Sequence, residues 1–211
     1  MELTESVVRE RAGEYADAEP LYDVERQHIE TIPETFVGDD YGRRDAQWIV
    51  RWYFRRYLGA YPDRERRERE EAFRETDFEA VIDALDAVIN AVSTTGSGPR
   101  TVTAERDIDA ALAALTGLRG VDVSVASAFL QFIAPERFVA VDSRTWRVLV
   151  AAGELDGRYP DTLTPADYRR FDGACRSVME RTGVDAWTLY RALWRSWPLL
   201  SDSDHDAEVP P

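Results

Sequence analysis

A single aspartate, Asp142, separates an apolar run from a helix-like segment in the stretch FVAVDSRTWRVL, residues 138–149. A carboxylate at this position can cap the following helix, because Asp is among the residues favoured at helix N-termini. It can also serve as a catalytic carboxylate that accepts a proton or stabilises a developing positive charge in a cleft. The two roles are compatible, and the stretch alone leaves both open.

A second candidate is the segment LRGVD at 118–122, which joins two helical patterns. Gly120 allows a positive φ or a close backbone approach, and a tight turn before a helix exposes N–H groups that suit a phosphate oxygen. Arg119, Gly120, Val121 and Ser124 are therefore candidate nucleic-acid contacts, independent of base sequence. The alternative is that Gly120 simply ends the first helix.

The third candidate is the basic stretch 43–69, which holds nine arginines against four acidic residues. On a helical wheel, one arc combines guanidinium groups with indoles: Arg44, Trp48, Arg51, Trp52, Arg55 and Arg56. Such an arc can hold phosphates and stack on bases, so Arg51, Trp52 and Arg55 are predicted to contact nucleic acid. In the alternative, the arginines pair with the protein's own carboxylates and the tryptophans pack against another helix.

The segments that must position these residues show helical spacing, which predicts an all-α fold. Helices are expected at residues 4–16, 20–32, about 40–57, 63–75, 78–92, 104–116, 123–133, 165–182 and 185–197, with a further helix after Asp142. Asp39 or Asp40, Thr103 and Thr164 are predicted N-caps, the last in a capping box with Asp167.

The chain is expected to form one all-α unit over residues 1–200, with lobes of about 1–95 and 103–200. The Gly/Ser/Thr-rich segment 93–102 is the predicted linker between them. Residues 201–211, SDSDHDAEVPP, are predicted to be an acidic disordered tail.

The composition excludes several kinds of chemistry. All 26 basic residues are arginine, so no lysine is present for a Schiff base or a P-loop, and 40 acidic residues give a formal charge of −14. This balance is typical of proteins from a salt-rich cytoplasm. One cysteine and two distant histidines predict no metal site and no cofactor. No long apolar run and no signal peptide are found, so we expect a cytoplasmic protein without a membrane partner.

Two linked motifs resemble the helix-hairpin-helix DNA glycosylase superfamily, which includes endonuclease III and a class of alkylated-base glycosylases. Residues 105–155 are similar to its hairpin L-P-G-V-G, its small-residue helix and its V-D-[ST]-H-x-x-R segment. The matching positions are Leu118, Gly120, Val121, Ala126, Val141, Asp142, Ser143 and Arg147. The resemblance implies a two-lobed helical fold, a DNA partner and Asp142 as the catalytic carboxylate, with the hairpin anchoring a flipped nucleotide.

The departures from this pattern limit the activities that the resemblance implies. Arg119 replaces the hairpin Pro, Asp122 the second Gly and Arg144 the His, while Ser124 stands where bifunctional members carry a lysine. The resemblance therefore implies a DNA-binding protein, with monofunctional N-glycosylase as the candidate activity and no lysine-based lyase. The alternative is a non-catalytic helical module that binds nucleic acid or protein. Asp142→Asn is expected to keep the helix cap and the fold and to abolish any base release.

Overall fold

The computed structural model describes residues 1–38, 41–93 and 102–200, and within these ranges it contains ten α-helices, a short 3-10 helix and no strand. The helices are α1 Glu5–Ala18, α2 Tyr22–Val37, α3 Arg43–Arg55, α4 Asp63–Arg74, α5 Phe78–Ser93, α6 Val102–Thr116, α7 Val123–Ile133, α8 Ser143–Ala151, α9 Pro165–Thr182 and α10 Ala186–Ser196. The all-α prediction is confirmed. No helix in the described ranges is both long enough and apolar enough to cross a membrane.

The helices pack in two groups. The first packing group is α2 to α7, in which α7 contacts α2, α3 and α6, and α5 lies against α6. The second packing group contains α1 and α8 to α10, with α1 running along α10 in the most extensive helix contact of the described chain. Smaller contacts of α9 with α6 and α7, and of α1 with α2, join the groups.

Helix α7 forms the centre of the first packing group. Every residue from Val123 to Ile133 is buried, and the small side chains of Ala126, Ser127 and Ala128 are fully enclosed. Small side chains let neighbouring helix backbones approach closely, so a helix that is buried on every side fits here.

Several helix ends follow from local sequence. The predicted capping box at Thr164 and Asp167 is present, since the Thr164 side chain accepts from the Asp167 N–H at 3.2 Å and Asp167 accepts from the Thr164 N–H at 3.1 Å. Helix α6 begins at Val102, before the predicted cap Thr103. The predicted caps Asp39 and Asp40 lie outside the described residues, as do most of the predicted linker 93–102 and the tail 201–211.

Helix α3 ends earlier than the sequence predicted. It stops at Arg55 rather than Tyr57, because Leu58 and Gly59 both take a positive φ, of 50° and 89°, which a right-handed helix does not allow. The resulting turn brings α4 back along α3.

Candidate functional site

Asp142 is the N-cap of α8. Its Oδ1 accepts the Thr145 N–H at 2.7 Å, and the Asp142 N–H donates in return to Thr145 Oγ1 at 3.1 Å. The cap predicted from the sequence is confirmed, and the residue has 0% of its surface exposed.

The other oxygen of Asp142 binds a buried arginine. Arg56 Nη2 donates to Asp142 Oδ2 at 2.6 Å, and the Arg56 side chain is 1% exposed. The position predicted for Arg56, on an exposed arc of the helix, is therefore wrong. A buried guanidinium is tolerated only where a partner compensates for its lost hydration, and Asp142 is that partner.

Aromatic rings from α3, the turn after it and α10 surround the Arg56 guanidinium. Its carbon lies 4.3 to 5.8 Å from five ring centroids, those of Trp52, Tyr53, Tyr57, Tyr190 and Trp194. Ring faces attract a cation, and the attraction is stronger where water is excluded. We call Arg56, Asp142 and these five rings the Arg56 cage. It joins α3 of the first packing group to α8 and α10 of the second.

This geometry limits the chemistry that the Asp142 carboxylate can perform. Both oxygens accept from protein donors and the side chain has no exposed surface. Contact with a substrate would require the two packing groups to separate. The expectation that Asp142→Asn keeps the fold intact also changes, because an amide would leave the Arg56 charge buried without its partner.

Glu25 is a buried carboxylate that the sequence did not single out. Tyr15 OH donates to Oε2 and Trp52 Nε1 donates to Oε1, both at 2.7 Å, and the residue is 0% exposed. Burial raises the pKa of Glu25 to about 7, against the two hydrogen bonds from Trp52 and Tyr15, which favour the charged form. In the sequence, the only recognisable feature of Glu25 is its position in a predicted helix, and exposed glutamates share that feature.

The tryptophans of α3 do not form the predicted exposed arc. Trp52 is 4% exposed, donates to Glu25 and packs edge-on against Phe132 at 4.7 Å between ring centroids. Trp48 stacks on His28 at 3.5 Å and also meets Phe132. Both indoles pack against other rings, as the alternative interpretation held, and the arc of mixed arginine and tryptophan is wrong for the buried Trp52 and Arg56, while Trp48 is partly buried.

Arg55, at the end of α3, lies on the surface facing α4. Arg55 Nε and Nη2 donate to the two oxygens of Glu70 at 3.2 and 3.1 Å, and Arg66 Nη1 donates to Glu70 at 3.0 Å. Arg66 also pairs with Asp63 at 2.9 Å. We call Arg55, Glu70, Arg66 and Asp63 the α3–α4 ladder. Pairing with the protein's own carboxylates, the alternative given for this stretch, is confirmed for Arg55.

Arg51 differs from Arg55. It is exposed on α3 and forms no ion pair with the described part of the chain. It lines a small crevice with Glu70 and Arg74 beside the α3–α4 ladder. Its charge is therefore available to a ligand.

The hairpin between α6 and α7 is held against α4. Gly120 has a φ of +78°, and a Cβ at this position would lie 2.5 Å from the Arg69 carbonyl oxygen, so a glycine is required on both counts. Asp122 caps α7, accepting the Val125 N–H at 3.0 Å, and pairs with Arg69 at 2.9 Å. An acid at this position is thus a helix cap with a cationic partner.

The other hairpin residues are partly open to solvent. Arg119 pairs with Glu75 at 3.2 Å on the surface, and the Val121 N–H closes the turn onto the Leu118 carbonyl. The N–H groups of Gly120 and Asp122 donate to no acceptor among the described residues. Ser124 Oγ lies 3.1 Å from Tyr159 OH, inside the structure rather than at the turn.

The candidate residues fall into two separate places. The hairpin and the arginines of α3 both contact α4, where Arg69 meets Gly120 and the next residue, Glu70, meets Arg55. Asp142 lies apart, in the Arg56 cage. No group of three or more His, Cys, Asp or Glu residues in the described part of the chain could hold a metal ion. The chain matches no protein-family model, no curated protein and no solved structure.

Proposed function

We propose that the protein binds DNA through the hairpin between α6 and α7, as a relative of the helix-hairpin-helix glycosylases that does not use Asp142 for catalysis. The observation that carries the proposal is the turn at Gly120. It has a positive φ and two N–H groups without a partner in the described chain, next to the N-terminus of a helix. Such groups suit a phosphate oxygen and give binding without base specificity.

A two-lobed arrangement is part of the proposal. The two packing groups would be the lobes, the first made of α2 to α7 and the second of α1 with α8 to α10. The division therefore differs from the lobes 1–95 and 103–200 expected from the sequence, because α1 packs along α10 and α6 packs with α5.

The non-catalytic reading is supported by the state of Asp142. A carboxylate that acts on substrate needs an accessible oxygen, whereas both oxygens of Asp142 are bonded to Thr145 and Arg56. A lysine imine is excluded by composition. The protein is thus proposed to hold DNA and leave its bases attached.

The decisive experiment reverses the charge beside the turn. Arg119→Glu should weaken binding to a short duplex about tenfold or more, because a carboxylate next to the open N–H groups repels phosphate. The matched control is Arg26→Glu, an arginine on α2 that is also exposed and also ion-paired. Binding is measured by fluorescence anisotropy across a salt range in which thermal melting shows both variants folded. Equal affinities for Arg119→Glu and Arg26→Glu would rule out the hairpin as the DNA contact.

A protein-binding module is the second candidate, and one observation favours it. Most arginines on α3 and α4 are paired with carboxylates, as in the α3–α4 ladder, so this surface has little net positive charge to attract the backbone of a DNA duplex. Salt distinguishes the two candidates, since a phosphate-based complex weakens as salt rises and a mainly apolar interface does not. Incubation with lesion-bearing duplexes, assayed for abasic sites, tests whether any base release occurs.

A further inference from the structure

A surface pocket of about 310 Å³ lies where α3 ends and α4 begins. It is lined by Phe54, Arg55, Gly59, Tyr61, Asp63 and Arg66. This volume falls at the lower end of the range for small-molecule sites, roughly 300–1,000 Å³. The pocket is separate from the hairpin and from the Arg56 cage, so neither of those features accounts for it.

Two arginines in this pocket are held in place by one carboxylate. The Glu70 side chain, only 15% exposed, accepts from both Arg55 and Arg66, and Arg66 is itself 17% exposed. A guanidinium has five N–H groups, so each arginine keeps donors beyond those that Glu70 and Asp63 occupy. Because the side chains are already ordered, less conformational entropy is lost when a ligand binds.

The pocket offers an anion hydrogen-bond donors rather than net positive charge, because Glu70 and Asp63 balance the charges of Arg55 and Arg66. Its lining residues include two arginines and one aspartate, in a chain whose formal charge is −14. The adjoining crevice, of about 70 Å³, adds Arg51 and Arg74. Arginine pairs bind phosphate oxygens through paired N–H groups, and a dianion gains most from two of them.

The walls also offer an aromatic surface. Phe54 and Tyr61 line the pocket with their ring centroids 5.0 Å apart, and both side chains are nearly buried. Because only 2% of Phe54 and 4% of Tyr61 is exposed, a group attached to the phosphate can make only a small contact with these rings.

We propose that this pocket binds a terminal phosphate monoester, carried by a free nucleotide or by the end of a nucleic-acid strand. Arg55 and Arg66 hold the phosphate, Glu70 positions the two arginines, and Phe54 and Tyr61 contact the attached group. Only the second source of the phosphate rests on the proposed function, because a free nucleotide needs no hairpin.

The test compares ligands that differ in the phosphate alone. Isothermal titration with AMP should give saturable binding, whereas adenosine, which has the same ring and sugar without the phosphate, should bind at least tenfold more weakly. Arg55→Gln should weaken AMP binding about tenfold or more, and Arg64→Gln should change it less than twofold. Arg64 is the matched control because it lies on the same helix, pairs with Glu68 and is 90% exposed. Equal binding of AMP and adenosine, no binding of either, or an unchanged affinity in Arg55→Gln would overturn the proposal.

Oligonucleotides distinguish the two sources of the phosphate, a free nucleotide and the end of a nucleic-acid strand. A strand with a 5′-phosphate that binds more tightly than its 5′-hydroxyl twin, with the difference lost in Arg55→Gln, supports a nucleic-acid end. Equal binding of the two strands leaves the pocket as a site for a free phosphate ester. Arg119→Glu should leave AMP affinity unchanged in either case, so failure of the hairpin as a DNA contact can be separated from failure of the pocket.

Discussion

Arg55 and Arg56 are neighbours in sequence at the end of the same helix, and their surroundings are opposite. The Arg55 side chain is 53% exposed and pairs with Glu70 across a surface crevice, while the Arg56 side chain is 1% exposed inside five aromatic rings. Both bind one carboxylate. An ion pair in water gains little, because solvent competes and both side chains lose freedom. In a buried pair, the attraction between the two charges offsets the large cost of removing them from water. Removing one member therefore destabilises the protein far more.

Glu25 and Glu70, the carboxylates of the buried and the exposed region, also differ in the direction in which their pKa is shifted. Burial raises the pKa of Glu25, beside the Arg56 cage, to about 7, and the hydrogen bonds from its two uncharged donors only partly oppose this. Glu70 is partly buried as well, which alone would raise its pKa, yet hydrogen bonds from Arg55 and Arg66 lower it. Deep burial beside neutral donors thus favours the protonated form of Glu25, whereas shallower burial beside two arginines favours the charged form of Glu70.

The largest effect is expected from breaking the buried pair. Asp142→Asn should lower the free energy of unfolding by about 3–5 kcal/mol, because Asn can cap α8 but leaves Arg56 unpaired in the Arg56 cage. Arg55→Gln, the neighbouring surface change, should cost less than about 1 kcal/mol. Denaturant unfolding at constant salt measures both. Similar decreases in the free energy of unfolding for the two variants would mean that burial does not determine how much these ion pairs stabilise the protein.

A second effect concerns pH and is expected at Glu25. Its pKa is about 7 in the folded protein and near 4.5 in the unfolded chain, so the folded state binds more protons between these values. The contribution of Glu25 to stability is therefore complete below about pH 4.5, decreases as pH rises and is lost above about pH 7. Its full size is about 3 kcal/mol.

Glu25→Gln should remove this dependence, because an amide stays neutral throughout. The difference in unfolding free energy between wild type and Glu25→Gln is measured from pH 4.5 to 8, with Glu30→Gln as the control for an exposed glutamate on the same helix. A wild-type curve parallel to that of Glu25→Gln would show that Glu25 is charged in the folded protein over the whole range.

The smallest of these effects tests the contact between the hairpin and α4. Gly120 and Gly153 have similar φ values, 78° and 74°, but only Gly120 approaches another backbone, at 2.5 Å from the Arg69 oxygen. Gly153→Ala should cost about 1 kcal/mol from backbone strain alone. Gly120→Ala should cost about 1–3 kcal/mol more, because the hairpin must move away from α4. Equal melting temperatures for the two variants would show that the hairpin moves at no cost.

Features fixed by neighbouring residues could be predicted from the sequence. The second helix of the hairpin was expected from Val123 to Ile133 and occurs there, because Asp122 begins it and Pro135 follows its end. The capping box at Thr164 was also found, since its hydrogen bonds join residues three apart. Asp142 was recognised as a cap for the same reason.

The Arg56 cage could not be predicted, because it depends on residues far apart in the chain. A helical wheel assigns an arginine to the solvent side by default, and the partner that makes burial possible is 86 residues away. The role of Glu25 could not be predicted for the same reason, because its hydrogen-bond donors lie on α1 and α3. The placement of Trp52 was wrong as a consequence, since it lies between Glu25 and Arg56.

The pairing of α1 with α10 has a consequence for synthesis on the ribosome. More than 150 residues separate the two helices, so at about 5–20 residues per second α1 waits roughly ten to thirty seconds for its partner. During this time the face of α1 that carries Val8, Ala12 and Tyr15 lacks α10, and only its smaller contact with α2, through Tyr15 and Glu25, can form. The helices α2 to α7, whose contacts are closer in sequence, can assemble first. We therefore expect α2 to α7 to fold during synthesis before α1 packs against α10.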